Sequence, residues 1–208
     1  GLTFMGIRTI IGAFFLLPFI LTRDKISAKK MTESEIQQRK ATDKKTIKYG
    51  IIIGVFLCAA TNFQQFAFYQ PGAGAGKIAF STAMYMFFVP ILGLIFFRKK
   101  IPFITWICII LGFIGLYFLC FETASFGSIG LCDILTFICA IFFTLQILFI
   151  EKFAPECDGI KLSCVQFFTA GILSLILMFI FERPDLAQIK AGILPILYSG
   201  IMSCGFAY

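Results

Sequence analysis

The chain has 208 residues, of which 59% are hydrophobic, 17% aromatic and only 14% charged, whereas soluble domains carry about 25% charged residues. Apolar residues in such quantity, gathered in continuous runs, exclude a soluble fold and imply an all-α polytopic membrane protein. The formal charge of +7 does not signal nucleic acid, because nine of the 18 basic residues lie between Arg23 and Lys48. With no histidine in the chain, His-based metal sites, proton relays and Ser-His or Cys-His catalysis are excluded; neither an enzyme nor a cofactor is expected.

In chain order, the first run is Leu2–Thr22, apolar except for Thr3, Arg8 and Thr9. The charged stretch Arg23–Lys48 follows and is read as a surface loop. Thr32 and Glu35 have capping-box spacing, so a short helix around Thr32–Arg39 and a flexible loop are both open. A second span, about Tyr49–Tyr69, begins with Gly50-x-x-x-Gly54 and ends TNFQQFAFY. The glycine-rich link Gln70–Gly76 lacks the strand and Lys-Ser/Thr of a phosphate loop and reads as a tight turn.

Two apolar runs, Ile78–Phe97 and Ile101–Phe121, are each about long enough to cross a ~30 Å hydrocarbon core. Only Arg98, Lys99 and Lys100 separate them, the mark of a helical hairpin with a cytoplasmic turn. Ala75, Ala79 and Ala83 recur every four residues and predict a close helix–helix approach. Pro90 predicts a bend, read as static rather than as a gate. After the polar link Glu122–Gly130 come spans at about Leu131–Ile150 and Leu162–Phe181, and a seventh from about Ile189 onward. Both ends of the chain fall inside apolar runs, so it is read as part of a longer protein.

Placing Arg23–Lys48 in the cytoplasm puts 14 basic residues on that side and three on the other. Every loop agrees, which sets Gly1 toward the outside. Six cysteines (Cys58, Cys108, Cys120, Cys139, Cys164 and Cys204) fall within apolar runs, and there is no C-x-x-C; they are assigned to packing.

Polar groups inside hydrocarbon must be paired or face water, so polar positions within spans are the places to look. Thr61, Asn62 and Gln65 share a helical face through i, i+3 and i, i+4 spacing; Gln64 lies beside them. Ser81, Thr82 and Tyr85 do the same in the third span. Later spans offer Gln146, Gln166, Tyr198 and Ser203. One reading is a solute cavity; the other is interhelical hydrogen bonding. For Asn62, Gln65 and Tyr85 the cavity is favoured, since three neighbouring large polar groups exceed what packing needs. Gln146 and Tyr198 complete the candidate lining. Arg8 is the one ionisable group deep inside a span; it either meets an anionic solute group or snorkels to the headgroups. Asp133 and Glu122 lie near span ends, where capping suffices.

The order of motifs is similar to that of EamA-type transporters in the drug/metabolite transporter superfamily. Tyr85, Pro90, Lys99–Lys100, Pro102, Gly112, Gly115 and Tyr117 match "Y-x-x-x-x-P…KK-x-P…G-x-x-G-L-Y". Asn62–Tyr85 resembles the segment before it. Asp133, the Gln166…Glu182 bracket and YSGIMSCGFAY resemble parts of a second repeat. The likeness covers the chain except Arg23–Lys48, and Lys99 stands where many relatives have glutamate. The resemblance implies a ten-span bundle of two inverted five-span repeats, here represented by seven spans. Residues 1–121 would be the first repeat without its first span, and 122–208 the second, truncated after its third. It further implies an exporter of a small polar or amphipathic metabolite, working by alternating access in a bacterial inner membrane. The expected partners are the bilayer and the solute, with no nucleic acid; a homodimer is left open. A non-transporting scaffold, its polar faces serving only helix pairing, is the alternative. The charge bias predicts that a cysteine at Ser27 is labelled only from the cytoplasm and one at Ser125 only from outside; same-side labelling would contradict seven spans.

Overall fold

The computed structural model of the chain describes residues 1–28, 33–71, 73–97, 101–120, 130–182 and 192–206. Among them there is no strand. Eight α-helices run α1 (Leu2–Ala28), α2 (Glu33–Phe68), α3 (Ala75–Thr82), α4 (Tyr85–Phe97), α5 (Phe103–Cys120), α6 (Leu131–Phe153), α7 (Gly159–Phe181) and α8 (Ile193–Tyr198). A 3₁₀ turn, Ala154–Glu156, joins α6 to α7, and a π-helical segment, Ser199–Phe206, continues α8. Among the described residues, five helical stretches are long and apolar enough to cross a membrane; Phe103–Phe118 and Ile193–Met202 are shorter apolar helices. The protein is therefore a polytopic, all-helical membrane protein. Large apolar side chains such as Ile95, Phe96, Phe103, Leu111, Phe118 and Phe179 point outward, as expected of surfaces that meet lipid rather than water.

The charged stretch is corrected by the structure. Most of Arg23–Lys48 is helix, since α1 runs on to Ala28 and α2 starts at Glu33. Its sequence is rich in Glu, Gln, Lys, Arg and Ala, which favour helix over coil. The 36-residue α2 is about 54 Å long at 1.5 Å per residue, so nearly half of it, its charged N-terminal part, extends beyond a ~30 Å core. Thr32, the basic turn at 98–100, the link at 122–129 and the residues at 183–190 lie outside the described residues.

Two compact units divide the chain: residues 1–58 with 149–208, and residues 59–148. In the first, helices approach at glycines. A Cβ on Gly6 would lie 2.8 Å from Leu175, and one on Gly171 2.5 Å from Ile10, so α1 and α7 nearly touch there. The Gly50-x-x-x-Gly54 pair faces α7 likewise: a Cβ on Gly54 would sit 2.8 Å from the Gln166 carbonyl oxygen. Gly200 brings the π-helical segment against α1: a Cβ there would lie 3.0 Å from the Arg8 carbonyl oxygen. At the α1 N-terminus the Thr3 N–H and hydroxyl both donate to Glu182 Oε2, at 2.9 and 3.0 Å. At the opposite end of the same helix, Arg23 pairs with Asp158 and Arg39 with Asp24, while Lys161 bridges Asp24 (2.9 Å) and Asp43 (2.8 Å). These pairs explain why a highly charged segment is ordered as helix.

The second unit comprises the end of α2, then α3, α4, α5 and most of α6. Here α3 lies along α5, with Phe80 and Phe113 ring centroids 4.6 Å apart. The long third span, Ala75–Phe96, is interrupted by one tightened turn: the Met84 and Met86 N–H groups bond to the carbonyls of Ser81 and Ala83, three residues back rather than four. The interruption lies at Ala83–Met84, and α4 continues through Pro90, so proline is not where the span breaks. The alanine repeat also differs from expectation. Ala75 and Ala79 are exposed instead of buried at a tight crossing. The two kinds of glycine separate experimentally. Gly54→Ala overpacks the α2–α7 contact and is expected to cost about 1–3 kcal/mol. A Cβ at Gly112 meets nothing within 4 Å, so Gly112→Ala should be neutral or gain up to ~1 kcal/mol of helix propensity. Denaturation in detergent checks both.

Candidate functional site

A cavity of about 400 Å³ lies in the second unit, within the usual range of ligand pockets of roughly 300–1,000 Å³. Gln64 from α2 borders it, with Thr82 and Tyr85 on either side of the break between α3 and α4. Gly112 and Gly115 form its wall on α5. Neither glycine would have a neighbour within 4 Å if given a Cβ, so they serve no helix contact here and keep the wall low. Ala79 and Ala83 line the same space, which is where the small-residue repeat faces. The Gln64 amide donates to the Thr82 hydroxyl at 3.4 Å, tying α2 to the last turn of α3. Thr82 and the Gln64 backbone also meet the buried Cys139 thiol of α6. The Tyr85 ring lies 6.1 Å from that of Phe143. The cavity is thus a mostly apolar space with an amide, a hydroxyl and a phenol at a helix discontinuity.

The residues proposed from sequence are distributed unevenly. Tyr85 lines the cavity. Gln65 is half-buried and is not among its lining residues; its neighbour Gln64 is. Asn62 and Gln146 are buried, 4% and 3% exposed, and both are engaged in contacts within the protein. Tyr198 is 70% exposed, so the described residues do not bury it in a site. Arg8, in the first unit, turns toward the α8 end: its Nη1 donates to Ser199 Oγ at 3.3 Å, and its guanidinium lies 5.9 Å from the Phe4 ring centroid. Its Nε is buried without a hydrogen-bond partner among the described residues. Helical spacing gathered Asn62 and Gln65 on one face, but which face of α2 opens on a cavity depends on α5, and the sequence carries no sign of that.

A second feature of this unit is the ion pair between Lys77 and Asp133. Lys77 Nζ lies 2.9 Å from Asp133 Oδ2, with side chains only 11% and 22% exposed. The same Oδ2 accepts the Gly130 N–H at 2.9 Å. Asp133 therefore caps its own helix, as its place near a span end suggested, and also holds the first turn of α3.

The site is thus a cavity of ligand size, edged by three polar side chains, in a protein of membrane-spanning helices. The model of the EamA-like transporter family matches residues 1–121, more than half of the chain, and the protein belongs to that family. The match includes every lining residue of the cavity. No curated protein and no solved structure matches the chain. The Lys77–Asp133 pair yields a direct test. Lys77→Met or Asp133→Asn alone leaves an uncompensated, largely buried group and should cost about 2–4 kcal/mol, somewhat below a fully buried pair. The double substitution should recover most of the loss when unfolding is followed in detergent.

Proposed function

We propose that this EamA-family membrane transporter exports a small amphipathic metabolite by alternating access, with the cavity beside Gln64, Thr82 and Tyr85 as part of the solute path. The observation that carries the reading is the coincidence of three features: a space of ligand size, three polar side chains at its edge, and a break in the helix that forms its wall. Discontinuous spans at a binding site are a recurring arrangement in secondary transporters, where freed backbone and polar side chains meet the solute and the break permits one part to move. The mostly apolar wall suits a solute with an apolar body, and the amide, hydroxyl and phenol suit one or two hydrogen-bonding groups. Arg8 is a second place where an acidic solute group could be held. Residues 122–208 are read as the second repeat of the inverted pair, on the strength of Asp133, the Gln166…Glu182 bracket and the YSG segment. Their orientation follows from the basic bias toward the side of Arg23–Lys48.

The test uses the full-length protein in sealed vesicles and a panel of radiolabelled polar and amphipathic metabolites. Gln64→Leu keeps side-chain volume and suits hydrocarbon, so losing the bond to Thr82 should cost only about 0.6 kcal/mol of stability. A solute group that loses its partner in a dry site forfeits about 1–3 kcal/mol, so flux per folded molecule should fall roughly five- to a hundredfold. Tyr85→Phe should reduce flux in the same direction. If the polar groups only join helices, the same small loss of stability appears and specific flux is preserved. Absence of flux for the whole panel with a well-folded protein would favour the scaffold reading.

A further inference from the structure

The first unit carries a second cavity, of about 300 Å³, between α1, α2 and α7. Leu17, Ile20, Ile47, Val165 and Phe168 supply an apolar wall, and Lys161 with Asp43 borders it where the helices carry their charges. Lys161 is occupied by Asp24 and Asp43, Arg39 by Asp24, and Arg23 by Asp158. These cations answer Asp24, Asp43 and Asp158, and Lys45 meets Glu156 at 3.3 Å. Left over is a row of lysines, Lys40, Lys44 and Lys48, all exposed; among the described residues none of them forms an ion pair.

Their spacing of four places them on one face of α2. The same face continues with Ile47, Ile51 and Val55, whose side chains are 51%, 46% and 47% exposed. Those three are apolar side chains on the outside of a stretch long and apolar enough to cross a membrane, a surface suited to lipid. One stripe of the helix therefore passes from lipid-facing Val55 and Ile51, past Ile47 at the cavity, to three unneutralised lysines. Cations that continue a lipid-facing stripe sit at headgroup depth, where anionic lipids attract them. Long lysine stems also reach readily along such a surface.

From this we infer that the α1–α2–α7 cavity is a binding site for an anionic diacyl phospholipid, one acyl chain lying between Leu17, Ile20 and Phe168 and the phosphate held by Lys40, Lys44 and Lys48. The apolar wall accounts for the chain and the unpaired lysines for the charge; a zwitterionic lipid satisfies only the first. Its lining shares no residue with the cavity beside Gln64, Thr82 and Tyr85, and the inference does not depend on which side of the membrane this end faces.

The experiment is native mass spectrometry and thermal unfolding of the full-length protein in detergent, with phosphatidylglycerol, phosphatidylcholine or inorganic phosphate added. One phosphatidylglycerol should be retained and should raise the melting temperature, while phosphatidylcholine and inorganic phosphate should not. Each lysine lost should weaken retention about fivefold, and Lys40→Gln/Lys44→Gln/Lys48→Gln together about a hundredfold. Because these side chains are exposed, the triple variant should keep the lipid-free melting temperature; if it does not fold, Lys44→Gln alone gives the fivefold test. Ile20→Phe, which narrows the cavity and leaves the charges, should also weaken retention. Equal retention of both lipids, unaltered retention in the lysine variants, or stabilisation by phosphate alone would each overturn the site. So would a change of oligomeric state in the triple variant without loss of lipid, which would assign the lysines to a protein contact.

Discussion

The first unit depends on α7 being approached closely from two sides. In hydrocarbon, helices gain nothing by hiding apolar surface from water, so they hold together through van der Waals contact and the hydrogen bonds that close approach allows. Gly6 and Gly171 bring α1 onto α7, and Gly50 and Gly54 bring α2 onto it, at separations a single methyl group would violate. Polar contacts then become possible at both ends. Glu182 reaches the first turn of α1, and Lys161, near the start of α7, reaches carboxylates on α1 and α2. The glycines set the distance, and the charges fix the ends.

Much of this was legible in the sequence. The described parts of the apolar runs are almost wholly helical; the close approach expected at Ala75, Ala79 and Ala83 occurs instead at Gly50 and Gly54. What escaped was decided by partners distant in the chain. Residues 33–48 looked like loop because they are polar, yet their composition favours helix, and Arg39 and Asp43 find ion-pair partners at Asp24 and Lys161. The break at Ala83–Met84 has no proline of its own to announce it, while Pro90, the visible signal, lies within continuous helix. Periodicity groups Gln65 with Asn62 while Gln64 borders the cavity, because periodicity defines faces without saying which neighbour each face meets.

Polar residues in these spans also differ in how much they can signify. A threonine or serine hydroxyl can be satisfied by its own helix, donating to a carbonyl three or four residues back. Thr9, Thr136, Thr144 and Thr169 all do so, for example Thr144 to the Ala140 carbonyl at 2.7 Å. Such hydroxyls disturb hydrocarbon little and report little about function. A glutamine amide has two donors and an acceptor, too many to settle on one turn of its own helix, so in a span it requires another element, a ligand or water. Thr82 belongs with the amides: at the end of α3, its hydroxyl accepts from Gln64. The informative polar residues of this protein are therefore those whose partners lie across a gap, and in the second unit Gln64 and Thr82 meet at the edge of a cavity beside a broken helix.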